Sequence, residues 1–331
     1  MRTIASIEAR MTSTRLPGKM NENIGGLTAL EHVITRVKRV PEVSGIVVCT
    51  PEDPVNKPLW DVSRKHSVLL HKGSEDNVLR RVTDAHRECG TETVVRVCGD
   101  QVFLDPGTVS DAIKAHEAGL GEMITTTRES EYPTGVDAEV FSYFHLKMLN
   151  NSPYLKEKDR EHVSLYWYEH PESYAVYEMQ PHPALHMPDL RLCLDTTEDL
   201  TYAREIVHEF GWDCDTSAIL RGIRHGRLRK LVERSRSDQV LPSEWGGPLP
   251  TDSAGLLEGT AKSEEPTLRN PQRGEAETRR ESHSDLTRLN GGYRPSPLKE
   301  DARERSRNYR FENGGYPRWG RRFDDGDPRN G

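Results

Sequence analysis

The chain has 331 residues, and its Lys and Arg, balanced against Asp and Glu, give a formal net charge of −7. Its composition changes near residue 231, beyond which Pro, Gly, Ser, Arg and Glu dominate and apolar residues are scattered singly. Such a composition cannot offset the entropy lost when a chain becomes ordered. We therefore predict one folded domain over residues 1–231 and a disordered tail over residues 232–331.

The charge and the cysteines exclude several classes of protein. The segment from residue 232 onward carries 18 basic and 18 acidic residues, so the whole net charge lies on the predicted domain. An acidic fold lacks the basic surface that nucleic acids require, so we do not expect a nucleic-acid partner. No apolar run approaches the roughly 18 residues that span a bilayer, and the start has no leader-like pattern, so we expect no membrane contact and a cytoplasmic location. The five cysteines contain no C-x-x-C pair, which argues against a disulfide framework and against zinc.

Apolar runs of strand length alternate with amphipathic runs of helical spacing in the first part of the domain. Strands are predicted at residues 3–7, 45–50, 68–70 and 93–98, and helices at residues 28–40, 54–65 and 77–89. This alternation predicts an α/β fold with a doubly wound sheet, in which ligands bind outside the carboxyl ends of the strands.

The second part of the domain continues with less regular spacing. Helices are predicted at residues 106–118, 159–168, 198–210 and 216–234, and strands at residues 123–127, 138–141, 174–178 and 190–194. The strand at 174–178 is expected at an edge of the sheet.

A basic loop, residues 9–19, directly follows the first predicted strand. It contains Arg10, Arg15 and Lys19, together with Ser13 and a Pro-Gly turn. Cations and backbone N–H groups at such a position can hold a polyanion and take up charge on a departing pyrophosphate. The loop has neither the phosphate-loop pattern nor the dinucleotide fingerprint. We interpret it as a triphosphate site, and the alternative is a surface turn with solvated cations.

Two aspartates follow predicted strands at the same edge of the sheet. Asp100 comes after the strand at 93–98, and Asp195 after the strand at 190–194. Carboxylates at this edge suit Mg²⁺, which typically takes one or two carboxylates plus substrate phosphates. The alternatives are a turn residue for Asp100 and a helix cap for Asp195.

Six ordered blocks of sequence resemble a known family. They are residues 9–11 with 13–19, residues 73–79, residues 99–100 with 105–106, residues 132–141, residues 160–163, and residues 190–200. Together they resemble the bacterial nucleotidyltransferases that include CMP-Kdo synthetase, acylneuraminate cytidylyltransferase and the spore coat polysaccharide biosynthesis protein F group. The resemblance extends from residue 2 to about residue 210.

The resemblance implies a three-layer nucleotide-diphospho-sugar transferase fold, a homodimer, and a set of site residues. In chain order these are Arg10, Ser13, Arg15 and Lys19 for the triphosphate of CTP, Ser74 for the nucleoside, and Asp100 and Asp195 for Mg²⁺. Catalysis is assigned to Arg10, Arg15 and Lys19. The partners implied are CTP and a small sugar or sugar-acid acceptor.

The predicted activity is Mg²⁺-dependent transfer of CMP from CTP to a sugar or sugar acid, with release of pyrophosphate, for surface polysaccharide biosynthesis. One alternative is a glycosyltransferase, for which the Asp-x-Asp spacing at residues 213–215 is the candidate metal motif. Another is a non-catalytic relative.

Two residues of the basic loop region depart from the pattern of this family. Glu8 stands where the relatives have Gln, and Thr12 where they have Gly. A carboxylate beside a triphosphate repels it, so we expect the Glu8 side chain to point at Arg10 or at the metal.

Overall fold

The computed structural model describes residues 1–126 and 131–232. The predicted tail, apart from Val232, lies outside the described residues. Within the described part, no helix is long and apolar enough to cross a membrane, and all five cysteines are free thiols.

A seven-stranded mixed sheet forms the centre of the domain. Its strands are β1 (Thr3–Glu8), β4 (Gly45–Pro51), β5 (Leu69–Gly73), β6 (Thr93–Cys98), β7 (Met123–Thr125), β8 (Glu139–Ser142) and β9 (Val176–Glu178), and a separate hairpin contains β2 (Asn23–Ile24) and β3 (Leu27–Thr28). The order across the sheet is β5-β4-β1-β6-β8-β7-β9. The first four strands in this order are mutually parallel, whereas β8 runs antiparallel to both of its neighbours. The mostly parallel α/β sheet is confirmed.

Helices cover both faces of the sheet. They are α1 (Ala29–Val37), α2 (Lys57–Lys65), α3 (Val78–Cys89), α4 (Pro106–Glu117), α5 (Tyr143–Asn150), α6 (Glu157–Glu161), α7 (Leu165–Glu169), α8 (Thr197–Phe210) and α9 (Thr216–Arg224). One apolar core holds side chains of α1, α2, α4, α8 and α9, and a second core on the other face holds those of α3, α5 and α7. Alternate residues of each central strand point into opposite cores, so the domain has three layers.

Sequence signals at helix starts work as expected. Thr28 caps α1 with Glu31 in a reciprocal capping box, and the Asp105 carboxylate accepts the Thr108 N–H at the start of α4. Each contact satisfies backbone donors that the first helical turn leaves free.

Three predictions about the second half of the chain are wrong. The helix predicted at residues 216–234 ends at Arg224. Residues 190–194 do not form a strand: their backbone groups bond to Thr134, Asp100 and Leu231, and only isolated bridges result. The predicted helix at 159–168 is divided into α6 and α7, because Val163 adopts a left-handed conformation with a φ of 49°. The β2–β3 hairpin and α5 were not predicted.

Candidate active site

Three loops leave the carboxyl edge of the parallel strands side by side. They are the basic loop (residues 9–19) after β1, residues 74–77 after β5, and Gly99 with Asp100 after β6. Strands β1 and β6 approach so closely that a Cβ on Gly99 would lie 2.8 Å from the carbonyl oxygen of Glu8. This position therefore requires glycine, and it places Asp100 against the start of the basic loop.

The basic loop closes on itself. Gly18, with a φ of 75°, donates its N–H to the Met11 carbonyl at 2.9 Å. The Met11 N–H in turn donates to Asn56 Oδ1 at 2.9 Å. The left-handed turn at Gly18 directs the chain back so that Lys19 lies beneath the loop.

Asp195 reaches this edge from a distant part of the sequence. The Leu194 N–H donates to the Asp100 carbonyl at 2.9 Å, and the Leu192 N–H donates to the Thr134 carbonyl at 2.8 Å. The segment is fixed further by Gly135, whose φ is 95° and where a Cβ would lie 2.5 Å from the backbone nitrogen of Cys193. Backbone contacts rather than a regular strand therefore bring Asp195 beside Asp100.

Lys19 joins the two aspartates. Its Nζ lies 2.9 Å from Asp100 Oδ2 and 2.6 Å from Asp195 Oδ1. Burial lowers the pKa of the Lys19 ammonium, but the two carboxylates outweigh this effect and the pKa lies above its usual value. The lysine is therefore a permanent cation held between two carboxylates.

Two arginines also contact Asp195. Arg15 and Arg191 each place a guanidinium nitrogen 3.1 Å from Asp195 Oδ2. Burial would raise the pKa of the Asp195 carboxyl, but Lys19, Arg15 and Arg191 lower it below its usual value. Arg191 additionally bonds both oxygens of Asp199. Because Thr196 is the cap of α8, Asp195 is not a helix cap.

The other predicted site residues lie on the same loops in local contacts. Arg10 is within 4.0 Å of Glu161, and both side chains are about half exposed. The Ser13 hydroxyl accepts the Leu16 N–H at 3.4 Å, and the exposed Ser74 accepts the Asn77 N–H at 3.1 Å. Ser13 and Ser74 therefore make contacts within their own loops, whereas Arg10 contacts Glu161 at the end of α6.

Thr12, the second departure from the family pattern, links two of the loops. Its hydroxyl donates to Glu75 Oε1 at 2.5 Å. The backbone carbonyls of Ser74 and Glu75 are held by the buried Arg81 of α3. The Thr12–Glu75 bond thus joins the basic loop to residues 74–77.

The expectation for Glu8 is wrong. Its carboxylate forms two bonds of 2.8 Å with Arg96 of β6 and points neither at Arg10 nor at Asp100. Arg96 also donates to Glu139 at 2.8 Å, and Glu139 accepts from Ser164 and Tyr168. Burial lowers the pKa of Arg96, but Glu8 and Glu139 raise it well above its usual value. Glu8 is therefore neutralised within the second core, away from the basic loop.

Asp137 is a half-buried carboxylate near the site. One of its oxygens accepts the Gly135 N–H at 2.8 Å. Burial raises the pKa of Asp137 to about 6, and the nearby Asp100 and Glu139 contribute to the same shift. A carboxylate with such a pKa exchanges its proton near neutral pH.

The donors at this edge fit a hard divalent cation. Asp100 and Asp195 present oxygen ligands on either side of one cation position, now taken by the Lys19 ammonium. Among residues 1–126 and 131–232, no three His, Cys, Asp or Glu side chains gather as a metal site. Two carboxylates are nevertheless sufficient for Mg²⁺ when substrate phosphates complete its shell.

A family model described as cytidylyltransferase matches residues 4–225. The chain belongs to the cytidylyltransferase family. It is therefore a nucleotidyltransferase, and the matched residues include the basic loop, Asp100 and Asp195.

Individual cytidylyltransferase relatives agree with this placement. The spore coat polysaccharide biosynthesis protein SpsF of Bacillus subtilis is 28% identical over 216 residues, covering 64% of this chain and 89% of that protein. A 3-deoxy-manno-octulosonate cytidylyltransferase of Nitrobacter winogradskyi is 25% identical, covering 62% of this chain and 94% of its own. The structure of a cytidylyltransferase from Leptospira borgpetersenii superposes with a TM-score of 0.65 at 24% identity, over 71% of this chain and all of that one. This structural likeness confirms the fold.

Two arginines were not predicted to have a role: Arg191 lies in this site, and Arg96 lies in the second core. Arg96 and Arg191 each lie within an apolar run, at 93–98 and 190–194. A charged residue in such a run must find a partner, because an unpaired buried charge is costly. That signal was available, but the identity of the partners depends on the folded arrangement.

Proposed function

We propose that this cytidylyltransferase transfers CMP from CTP to a sugar or sugar acid and releases pyrophosphate, in the synthesis of a surface polysaccharide. The observation that carries the proposal is the Lys19 ammonium between Asp100 and Asp195, at the mouth of a basic loop. The names of the relatives support the substrate class, since SpsF is named for polysaccharide biosynthesis and others for an octulosonate acceptor.

The residues of the site have separate tasks in this proposal. Arg10, Arg15 and Ser13 bind the triphosphate of CTP, with both arginines exposed enough to receive it. Lys19 stabilises the charge that develops on the departing pyrophosphate. Residues 74–77, including Ser74, meet the nucleoside. The acceptor hydroxyl attacks the α-phosphorus in line, and its orientation supplies most of the rate.

Asp100 and Asp195 would hold a magnesium ion in this proposal. When bound, the ion neutralises phosphate charge and orients the triphosphate for in-line attack. Arg191 keeps Asp195 in position by bonding it and Asp199 together. The protein thus supplies an ordered pair of ligands, and the nucleotide supplies the rest.

The direct test is pyrophosphate release from CTP in the presence of MgCl₂ and a panel of sugars and 3-deoxy sugar acids. We expect release that depends on one acceptor class, with the CMP-sugar identified by mass spectrometry. Lys19→Ala should reduce turnover by about a hundredfold with folding intact. Absence of release with every nucleotide and every acceptor would refute the proposal.

The glycosyltransferase alternative receives less support. Its candidate metal motif, residues 213–215, is bonded by two arginines: Arg36 of α1 donates to the Cys214 carbonyl at 3.0 Å, and Arg39, just after α1, pairs with Asp215 at 2.6 Å. Transfer of a sugar from a nucleotide-sugar donor in the same assays would favour this alternative.

We further propose a cytoplasmic location, since CTP is a cytoplasmic substrate. We also propose that the protein is a homodimer. Phe144 and Met148, one turn apart on α5, are both more than half exposed, and Tyr154 beyond the helix is 77% exposed. Light scattering on purified protein measures the oligomeric state, and a mass equal to one chain would refute the dimer.

A further inference from the structure

We infer that Lys19 occupies the position of the divalent cation in the free enzyme and leaves it when a metal–nucleotide complex binds. The inference rests on the proposed function, because it takes Asp100 and Asp195 as the metal ligands. It adds an order of events: the cation enters together with the nucleotide and not before it.

The first argument is the charge of the carboxylate cluster. Three carboxylates and three cations are joined by ion pairs of 2.6 to 3.1 Å: Asp100, Asp195 and Asp199 with Arg15, Lys19 and Arg191. Their formal charges cancel. A divalent cation that arrives alone therefore meets no net negative charge, and its binding is not favoured by the field of the cluster.

The second argument is geometric. The Lys19 nitrogen lies within 3 Å of an oxygen from each aspartate, and Mg²⁺ binds such oxygens at about 2.0–2.1 Å. The ion and the ammonium therefore require the same position between the same two oxygens. Two cations cannot share it, so binding of one excludes the other.

The third argument identifies which cation moves. Arg191 is fixed by its two bonds to Asp199, which it makes in addition to its contact with Asp195. Arg15 forms its ion pair with Asp195. Lys19 contacts both Asp100 and Asp195, and its side chain is a flexible stem of four carbons. Lys19 is therefore the group that moves away when a metal ion binds.

The nucleotide provides the destination for Lys19. A triphosphate in the basic loop brings several negative charges, which compensate the ammonium when it leaves the aspartates. The exchange gives the lysine two successive partners, the carboxylates and then the phosphates. It also prevents a metal without nucleotide from occupying the site.

The test measures the affinity of the protein for Mn²⁺ in the absence of nucleotide. Electron paramagnetic resonance reports the concentration of free Mn²⁺ during the titration. Lys19→Met keeps the length of the side chain and removes its charge, and Lys65→Met, a remote lysine paired with Glu31, is the matched control. We expect Lys19→Met to bind Mn²⁺ at least about fivefold more tightly than the wild type, the lower limit of ordinary coupling between sites. The control should be unchanged. Equal or weaker binding by Lys19→Met would overturn the inference.

Two further measurements keep the test decisive. Lys19→Gln replaces Lys19→Met if the latter does not fold, and circular dichroism checks both. In the wild type, Mn²⁺ should bind at least about tenfold more weakly alone than with a non-hydrolysable CTP analogue, and equal affinities would overturn the exchange. If Lys19→Met binds Mn²⁺ more tightly than the wild type, but the wild type releases no pyrophosphate with any acceptor, the exchange stands and the proposed function fails. If the wild type releases pyrophosphate and the affinity of Lys19→Met for Mn²⁺ equals that of the wild type, only the exchange is wrong.

Discussion

Arg96→Met is the substitution for which the structure predicts the largest loss of stability. Arg96 lies between Glu8 and Glu139, and the exposed fractions of the three side chains are 14%, 10% and 6%. Methionine fills a similar space without charge, so the change removes the cation and leaves two carboxylates facing each other in the second core. Both would then lack the partner that compensates their burial.

The size of the effect follows from this geometry. Removing one partner of a buried ion pair costs about 3–5 kcal/mol, since the remaining charge is uncompensated. That is a large part of the roughly 5–15 kcal/mol that stabilises a typical domain. For a domain of about this size it corresponds to a fall in Tm of roughly 6–20 °C.

Urea unfolding followed by circular dichroism measures this loss, and Glu8→Gln is the matched control. Glutamine keeps one hydrogen-bond acceptor for Arg96 and leaves the ion pair with Glu139. We expect Glu8→Gln to cost about 1 kcal/mol, because only part of one charged bond is lost. A loss below about 1 kcal/mol for Arg96→Met, or an equal loss for both variants, would refute the reasoning.

Three smaller predictions concern the other supports of the site. Gly135→Ala should lower the free energy of unfolding by about 2–4 kcal/mol because its Cβ meets Cys193, whereas Gly119→Ala, at a φ of 72° in open space, should cost only about 1 kcal/mol in the same urea titration. Asp137→Asn should remove a pH dependence of the free energy of unfolding. The pKa of Asp137 is raised to about 6 in the folded protein, so the folded state holds this proton more tightly than the unfolded state. The stability of the wild type relative to the variant therefore falls as pH rises from about 4 to about 6. Arg191→Lys should raise the metal concentration for half-maximal activity several-fold with an unchanged KM for the acceptor, because lysine cannot make the paired bonds of the guanidinium; an unchanged metal titration would contradict the positioning role.

The parallel half of the sheet could be predicted from the sequence because its signals are local. β1, β4 and β6 are short apolar runs, and α1 and α3 between them have side-chain caps at Thr28 and Asn77 and regular apolar spacing. Lys19, Asp100 and Asp195 were predicted to share one sheet edge, and in the structure the Lys19 Nζ lies within 3 Å of a carboxylate oxygen of each aspartate. For these elements, periodicity and position along a strand contain the needed information.

The remaining features depend on contacts between distant parts of the chain. Residues 190–194 have the composition of a strand, but their hydrogen-bond partners are Thr134, Asp100 and Leu231, which no local pattern reveals. The direction of the Glu8 side chain was predicted wrongly because its partner, Arg96, belongs to another strand 88 residues away. Sequence periodicity gives the face of a strand on which a residue lies, but the partner depends on register and topology.

The pairing of Glu8 with Arg96 also explains how an acidic domain can present a basic loop. The negative charges of Glu8 and Glu139 are buried and compensated in the second core, whereas the arginines of the loop, Arg10 and Arg15, are exposed by 43% and 61%. Glu8 and Glu139 therefore add no uncompensated negative charge beside these two arginines, which stay exposed although each also contacts one carboxylate, Glu161 or Asp195. Under the proposed function, these exposed arginines are the first groups that a triphosphate meets at this edge of the sheet.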